Sequence, residues 1–216
     1  MRISEVITVP TLSQEVYKRL RKDIMNGIFP PGKRISIRKL AYQLNVSTMP
    51  VREALNKLQS EGFVHFERRS IFVRQLSSQE LIELFEIRLT LEKMALEWSY
   101  KHIDCVALAR LSEIVLEMER KLTSPAEWNE LNRQFHTLIY TYAQSKPMLE
   151  MLSIVWGRVE PYMNIYSTKL DYLIISQKEH EQLLEVLIKK DIATLHHVLT
   201  LHIRQTKEAI LEKLEK

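Results

Sequence analysis

The sequence is poor in the residues that mark several common classes of protein. Among 216 residues there is one cysteine, Cys105, which excludes an internal disulfide and a metal cluster made of cysteines alone. Glycine (4) and proline (7) are scarce, and the abundant leucine, glutamate and lysine favour helices. No apolar run reaches the roughly 18 residues of a membrane span, and the first ten residues do not resemble a signal peptide. We therefore expect a cytoplasmic, mostly helical protein without a membrane partner.

The charge is divided unevenly along the chain. Residues 1–75 contain 14 Lys and Arg against 6 Asp and Glu, a balance of +8. Residues 76–216 contain 17 against 21, a balance of −4. This division predicts two domains, 1–75 and 76–216, with different partners. A basic domain is the expected electrostatic footprint of a protein that binds a phosphate backbone, and a solvated basic surface is the alternative.

Two short helices joined by a tight turn are predicted in the first domain. Ser36 begins one helix, and Asn45 ends it because asparagine tolerates positive φ. Ser47 begins the second helix, which ends at Gly62. Pro50 lies in the first turn, where the backbone N–H has no helical partner to lose. This pattern is a helix-turn-helix, whose second helix enters the major groove of DNA with its N-terminus first.

A basic hairpin follows the second helix. The runs "FVHF" and "IFVR" are typical of β-strands and flank "ERRS", which places Arg68 and Arg69 at the hairpin tip. Beside a helix-turn-helix, such a hairpin is a wing that lies along DNA, although a solvated turn is the alternative. Arg52, in the first turn of the second helix, is predicted to meet DNA, and a surface ion pair with Glu53 is its alternative.

The second domain is predicted to contain about six helices and no strand. Ser77 and Glu80 form the pattern of a capping box at the first helix. Apolar residues recur along that helix at helical spacing: Leu81, Leu84, Ile87, Leu91 and Met94. Further helix starts are predicted at four positions: Ser124, Pro147, Ser176 and Asp191.

Three histidines of the second domain could meet at a metal. His136 follows Asn132 by four residues, so both project from one helix face. His180 is expected to open a separate helix, and His202 lies inside the last one. Three imidazoles and an oxygen ligand could hold a divalent metal, although a buried histidine is more often a hydrogen-bonded core residue. A metal-dependent enzyme that activates water, or a helical interaction protein, are the corresponding alternative functions.

The first domain resembles the winged-helix domain of the GntR family of bacterial transcription regulators. The resemblance covers residues 11–75 and rests on "GIFPPGKRIS", "VREALNKLQSEGFV" and the basic hairpin. It places five residues at the DNA: Arg38, Ser47, Thr48, Met49 and Arg52. The family commonly has arginine at Thr48, threonine at Met49 and glycine at Ser70. Thr48 and Met49 favour apolar contact with thymine methyls over the usual arginine–guanine contact.

The second domain resembles the FCD ligand-binding domain of the FadR subfamily. The resemblance spans most of residues 78–210 and rests on "EIRLTLE", "LNRQFHTLI" and "EHEQLLEVLIKKDIATLHHVLTLHI". Metal-binding members have an aspartate and three histidines, and these positions correspond to Asn132, His136, His180 and His202. The resemblance implies a divalent metal, zinc or nickel. Asn132 can ligate through its carbonyl oxygen but brings no negative charge.

A metal held in this way would leave open positions for an organic acid, whose carboxylate is a hard anionic donor. Arg88 and Arg158 are candidates for binding that effector, and an i, i+4 pair with Glu92 is the alternative for Arg88. The sequence thus predicts a mainly α protein with two parts, an N-terminal winged helix-turn-helix with a small β-hairpin wing and an all-α helical bundle. We expect a homodimeric, ligand-responsive regulator of palindromic double-stranded operator DNA and no enzyme activity. A metal-free regulator is the remaining alternative.

Overall fold

The computed structural model describes residues 11–166 and 169–214 and divides after Gln75 into two compact units. The first unit contains α1 (Leu12–Met25), β1 (Arg34–Ile35), α2 (Ile37–Gln43), α3 (Thr48–Ser60), β2 (Val64–Glu67) and β3 (Ser70–Val73). The second contains α4 (Ser78–Ser99), α5 (Cys105–Arg120), α6 (Pro125–Thr141), α7 (Lys146–Tyr166), α8 (Leu170–Lys189) and α9 (Ile192–Leu214). The prediction of a mainly α chain with a small hairpin is confirmed.

The first unit is built around α1 and α3. Each of these helices has an apolar side that lies in one core, formed by Val16, Leu20 and Ile24 of α1 and Val51, Leu55 and Leu58 of α3. The tight turn between α2 and α3 contains Asn45 with φ of 51°. This is the left-handed conformation that the sequence predicts there, and it lets α3 start close to the end of α2.

A three-stranded antiparallel sheet completes the first unit, with strand order β1-β3-β2. The two-residue strand β1 was not predicted. Ile35 pairs with Ile71, and both side chains are buried, whereas Arg34 pairs with Phe72 and is exposed. The hairpin turn between β2 and β3 consists of Arg68 and Arg69, and Arg68 has φ of 52°.

The second unit consists, in its described part, of the six helices α4 to α9. One predicted helix start is wrong. Ser176 is buried inside α8, which begins at Leu170, so His180 lies in the middle of a helix. The buried face of α8 continues through Ser176 without a break, since Leu173, Ser176 and His180 are all buried. The start at Asp191 is confirmed, since its carboxylate accepts the backbone N–H of Thr194 at 3.1 Å.

The first helix of this unit, α4, has an unexpected distribution of burial. Its inner face includes Arg88 and Glu92, which are almost completely buried. The predicted apolar stripe is divided: Leu81 is fully buried, whereas Ile87 is 48% exposed and Met94 is 40% exposed. In the part of the chain that the structure describes, no helix is both long enough and apolar enough to cross a membrane.

Candidate nucleic-acid interface and candidate metal centre

An open groove of about 710 Å³ lies in the first unit, beside the start of α3. Strand β1, the start of α2, the first turn of α3 and the wing contribute its lining, which consists of Arg34, Ile35, Ser36, Ile37, Arg38, Thr48, Arg52, Arg69 and Ile71. Four arginines from four different elements of the fold are therefore brought to one surface.

The guanidinium groups of these four arginines have no carboxylate partner among the residues that the structure describes. The side chains of Arg34, Arg38, Arg52 and Arg69 form no hydrogen bond or ion pair there. The alternative of an ion pair between Arg52 and Glu53 is therefore not found. Elsewhere in the same unit basic side chains are neutralised: the Arg19 guanidinium lies 3.1 Å from the Asp23 carboxylate. The groove therefore concentrates uncompensated positive charge, which is the property that attracts phosphate.

The start of α3 presents three short exposed side chains. Ser47 occupies the N-cap position as predicted, but its side chain makes no capping hydrogen bond. Its hydroxyl is therefore not engaged by the helix. Thr48 and Met49 follow it in the first turn, and Met49 is 61% exposed. An apolar side chain that is so exposed at a helix N-terminus suits contact with a thymine methyl group.

The structure changes the predicted set of DNA-contacting residues at two positions, Arg68 and Arg34. Arg68, at the wing turn, is exposed but does not line the groove, whereas its neighbour Arg69 does. Arg34 was not predicted to be functional. Strand β1, which places Arg34 in the groove, has only two residues, so no sequence pattern indicates it.

In the second unit, three histidines from three helices meet in the interior. His136 of α6, His180 of α8 and His202 of α9 are fully buried, and their nearest ring nitrogens all lie within 4.8 Å of one another. The Nε2 atoms of His136 and His180 are 3.1 Å apart. Two nitrogen ligands of one metal at about 2.0–2.1 Å are separated by a similar distance. The spacing of these two nitrogens therefore suits a shared ion.

The Nδ1 atoms of His180 and His202 are already hydrogen-bonded to other groups of the protein. Nδ1 of His180 lies 2.6 Å from the Ser176 carbonyl oxygen, and Nδ1 of His202 lies 2.7 Å from Glu179 Oε2. A hydrogen bond donated from Nδ1 leaves Nε2 unprotonated and able to bind a metal. Burial raises the pKa of Glu179 to about 7, so this carboxyl group is only partly ionised near neutral pH.

The three imidazoles are neutral in this environment. Burial lowers the pKa of His180 to about 3 and that of His202 to about 4. Burial, followed by the neighbouring histidines, also holds the pKa of His136 well below its usual value. Metal ligation requires unprotonated nitrogens. The set therefore meets that requirement at neutral pH.

Asn132 is the fourth candidate donor. It lies one helical turn before His136 on α6 and is buried, and its Oδ1 atom has no hydrogen-bond partner among the described residues. A buried carbonyl oxygen without a partner is uncommon and indicates an absent ligand or ion. The four donors therefore fit a divalent metal.

A buried polar network lies beside the histidines. Arg88 Nε donates to Glu92 Oε1 at 2.5 Å, and Trp156 Nε1 donates to the same oxygen at 2.8 Å. The Tyr140 hydroxyl donates to the other oxygen of Glu92 and also lies 3.4 Å from His136 Nδ1. This network links Arg88 to a candidate metal ligand, and the sequence predicted only its Arg88–Glu92 pair.

Both interpretations of Arg88 find support in this geometry. Its predicted pair with Glu92 is present, and its Nη2 atom is buried without a hydrogen-bond partner in the described structure. That unused donor could bind a carboxylate. Arg158 is half-buried and lies two positions after Trp156 on α7. Residues two apart on a helix point to different sides, so a role for Arg158 in the pocket stays a prediction.

Comparisons with known proteins agree with the two-unit architecture. The family model of the FCD domain matches residues 83–205, and that of the bacterial regulatory proteins of the gntR family matches residues 12–73. The HTH-type transcriptional regulator YdhC of Bacillus subtilis is 29% identical, with 93% of this chain and 92% of that protein covered. The Nta operon transcriptional regulator of Aminobacter aminovorans is 32% identical over 61% of this chain and 63% of its own length.

A solved structure extends the agreement to the fold. The structure of E. coli McbR/YncC has a TM-score of 0.87 and 26% identity, and the match covers 96% of this chain and 100% of that one. These relatives and fold neighbours are transcriptional regulators, so the alternative of a metal-dependent enzyme is set aside. The chain belongs to the GntR family of bacterial regulatory proteins with an FCD domain, and it is a transcriptional regulator.

Proposed function

We propose that this regulator is a cytoplasmic homodimer that binds a palindromic operator and changes its DNA affinity when a small carboxylate occupies the second unit. The observation that supports this most strongly is the pairing of two sites in one chain. One is the groove of unpaired arginines, and the other is the three-histidine pocket with an unused arginine donor beside it.

The groove would bind the operator through both phosphate and base contacts. Arg52 and the exposed side chains of Ser47, Thr48 and Met49 are on or next to the first turn of α3 and would face base edges. Arg34, Arg38 and Arg69 would neutralise phosphates along the groove, and Arg68 would do so at the wing tip.

The exposed apolar stripe of α4 would pair two copies of the chain. Leu84, Ile87, Leu91, Met94 and Trp98 follow one another at alternating intervals of three and four residues. Such spacing is that of a helix–helix seam. Ile87, Met94 and Trp98 are exposed, and Leu84 and Leu91 are partly buried against the edge of the unit's own core. A twofold partner is the occupant that a self-complementary stripe fits, and palindromic half-sites require the same symmetry.

The pocket would hold a divalent metal, zinc or nickel, at Asn132, His136, His180 and His202. A bound metal would supply a Lewis-acidic centre for a carboxylate. Arg88 would contribute the second contact through Nη2, because a guanidinium binds carboxylates in a directed way. The effector class is therefore a small organic acid.

The experiment that tests the proposal begins with genomic DNA fragments selected by the purified protein. Their affinity is measured by fluorescence anisotropy in three conditions: with chelator, with zinc, and with zinc plus a panel of carboxylic acids. We expect at least one acid to change the DNA affinity of wild-type protein about 5- to 150-fold, the usual range of allosteric coupling, and to leave Arg88→Met unaffected. Equal responses of both proteins would contradict the role of Arg88.

The dimer is tested separately by sedimentation equilibrium. Met94→Lys places a charge in the centre of the stripe and should shift the protein towards monomer. Val106→Lys is a matched control, because Val106 is 72% exposed on α5 and lies outside the stripe. A Met94→Lys protein that remains as dimeric as the control would show that copies meet elsewhere.

A further inference from the structure

Helix α7 makes two contacts with the polar network of the pocket. Trp156 Nε1 donates to Glu92, and the Trp156 ring lies 5.3 Å from that of His136. Further along α7, the Met163 sulfur lies 3.6 Å from Arg88 Nη1. A change in the position of the Arg88 guanidinium must therefore be accommodated by α7.

The same helix also holds the start of the second unit. The backbone N–H of Leu76 donates to the hydroxyl of Tyr162 at 2.6 Å. Leu76 is the first residue after the division between the units, and it precedes Ser77, the N-cap of α4. Tyr162 is itself 2% exposed, so its ring is fixed in the core. The point at which the chain leaves the first unit is thus fastened to α7.

The backbone of α7 is weakened between these contacts. Pro161 lies inside the helix and has no N–H, so the Gly157 carbonyl loses its helical hydrogen bond. Glycine at that position adds backbone freedom, and proline and glycine are the usual sites of helix kinks. Trp156 precedes this weak point, whereas Tyr162 and Met163 follow it. Pro161 therefore places the weakest point of the α7 backbone between the two contacts.

We propose that the Tyr162 hydroxyl is a positioning contact through which occupancy of the pocket controls the linker residue Leu76. This inference rests on the proposed function, since it requires a ligand that engages Arg88. Such a ligand draws the guanidinium towards its own carboxylate and changes the contact with Met163. The segment after Pro161 then shifts, and the hydrogen bond from Leu76 to Tyr162 lengthens or tightens with it.

The size of the effect is limited by the single hydrogen bond that transmits it. A net contribution typical of one such bond corresponds to about a 2- to 12-fold change in an equilibrium. Tyr162→Phe removes the hydroxyl and keeps the ring in the core. It should abolish the response at Leu76, because the backbone N–H of Leu76 loses its acceptor, and it should leave ligand binding unaltered.

Hydrogen exchange of the Leu76 amide in the full chain measures this contact directly. The probes are zinc alone and zinc with citrate, each compared with chelator, and binding is measured in parallel by calorimetry. In wild-type protein we expect zinc with citrate to change the Leu76 exchange rate by at least about 2-fold. In Tyr162→Phe the Leu76 amide should exchange fast in every condition. Its affinities for zinc and citrate should remain within twofold of those of the wild type.

Two further variants sharpen the test. Tyr142→Phe removes a tyrosine hydroxyl elsewhere in the same unit and should respond like wild type. Pro161→Ala restores the missing N–H, so it should reduce the response while keeping the slow exchange of Leu76.

If zinc and citrate bind but leave Leu76 exchange unchanged, or change it equally in Tyr162→Phe, this proposal is overturned and the proposed function is not. If zinc or citrate does not bind, the proposed function fails for that probe, and this proposal falls with it.

Discussion

Removing one histidine should abolish the stabilisation of this protein by zinc. His180 is fully buried, its Nε2 lies 3.1 Å from that of His136, and its other nitrogen is fixed by the Ser176 carbonyl. His180→Ala therefore deletes an oriented ligand and leaves the other donors in place. The variant loses packing as well, so each protein is compared with itself in chelator and in zinc.

The expected magnitude follows from mass action. Zinc at 100 times its dissociation constant stabilises the native state by about 2.7 kcal/mol. For a chain of this length, about 1 kcal/mol corresponds to roughly 2–4 °C in the unfolding midpoint. Wild-type protein should therefore gain about 5–10 °C with zinc. If the loss of a ligand lowers zinc affinity about 100-fold, the gain falls to roughly 1 °C at the same zinc concentration.

The assay is thermal unfolding followed by circular dichroism, with His197→Ala as the control. His197 is an exposed histidine on α9, so its loss should leave the zinc shift unchanged. Asn132→Asp should lower the midpoint in chelator, because it buries an unpaired carboxylate, and should enlarge the zinc shift. Equal zinc shifts in wild type and His180→Ala would refute the three-histidine site.

Three other changes test the structural interpretation. Arg68→Gly should stabilise the first unit by about 1 kcal/mol in denaturant unfolding, because Arg68 has a φ of 52° that glycine adopts freely; unchanged stability would contradict that turn. Glu92→Gln should destabilise the second unit by about 3 kcal/mol or more, because the buried charge of Arg88 loses its partner, and a loss below about 1 kcal/mol would refute the buried pair. Burial and the Glu61 carboxylate raise the pKa of Tyr17 to about 12. The free energy of unfolding of the wild type should therefore fall between about pH 10 and 12, as Tyr17 loses its proton more readily in the unfolded chain. Tyr17→Phe has no such group and should not show this fall. Parallel pH profiles of the two proteins would contradict the prediction.

Local patterns were enough to predict much of the first unit. The turn at Asn45 and the wing strands depend on signals within a few residues, and the structure has both. Strand β1 was missed because two residues are too short to show any periodicity, and its pairing partners Ile71 and Phe72 are remote in sequence. Arg34, which β1 places in the groove, was missed for the same reason.

Tertiary contacts explain what the sequence did not reveal in the second unit. Glu92 is buried because Tyr140 and Trp156 donate hydrogen bonds to it, and these partners lie 48 and 64 positions away. A helix-start pattern at Ser176 was misread because a serine followed by a glutamate also occurs inside helices. The three histidines lie together in space as the resemblance implied, although the helix around His180 begins earlier than expected.

The most direct test of DNA binding by the groove is the salt dependence of DNA affinity. Binding to a fragment selected by wild-type protein is measured between 50 and 200 mM salt, about the range over which phosphate contacts dominate. Each lost phosphate contact should lower the slope of log K against log salt by about 0.9, so Arg34→Ala with Arg69→Ala should lower it by up to about 1.8. Arg19→Ala, whose guanidinium is already paired with Asp23, should leave the slope unchanged. A double variant with the wild-type slope and affinity would contradict the account.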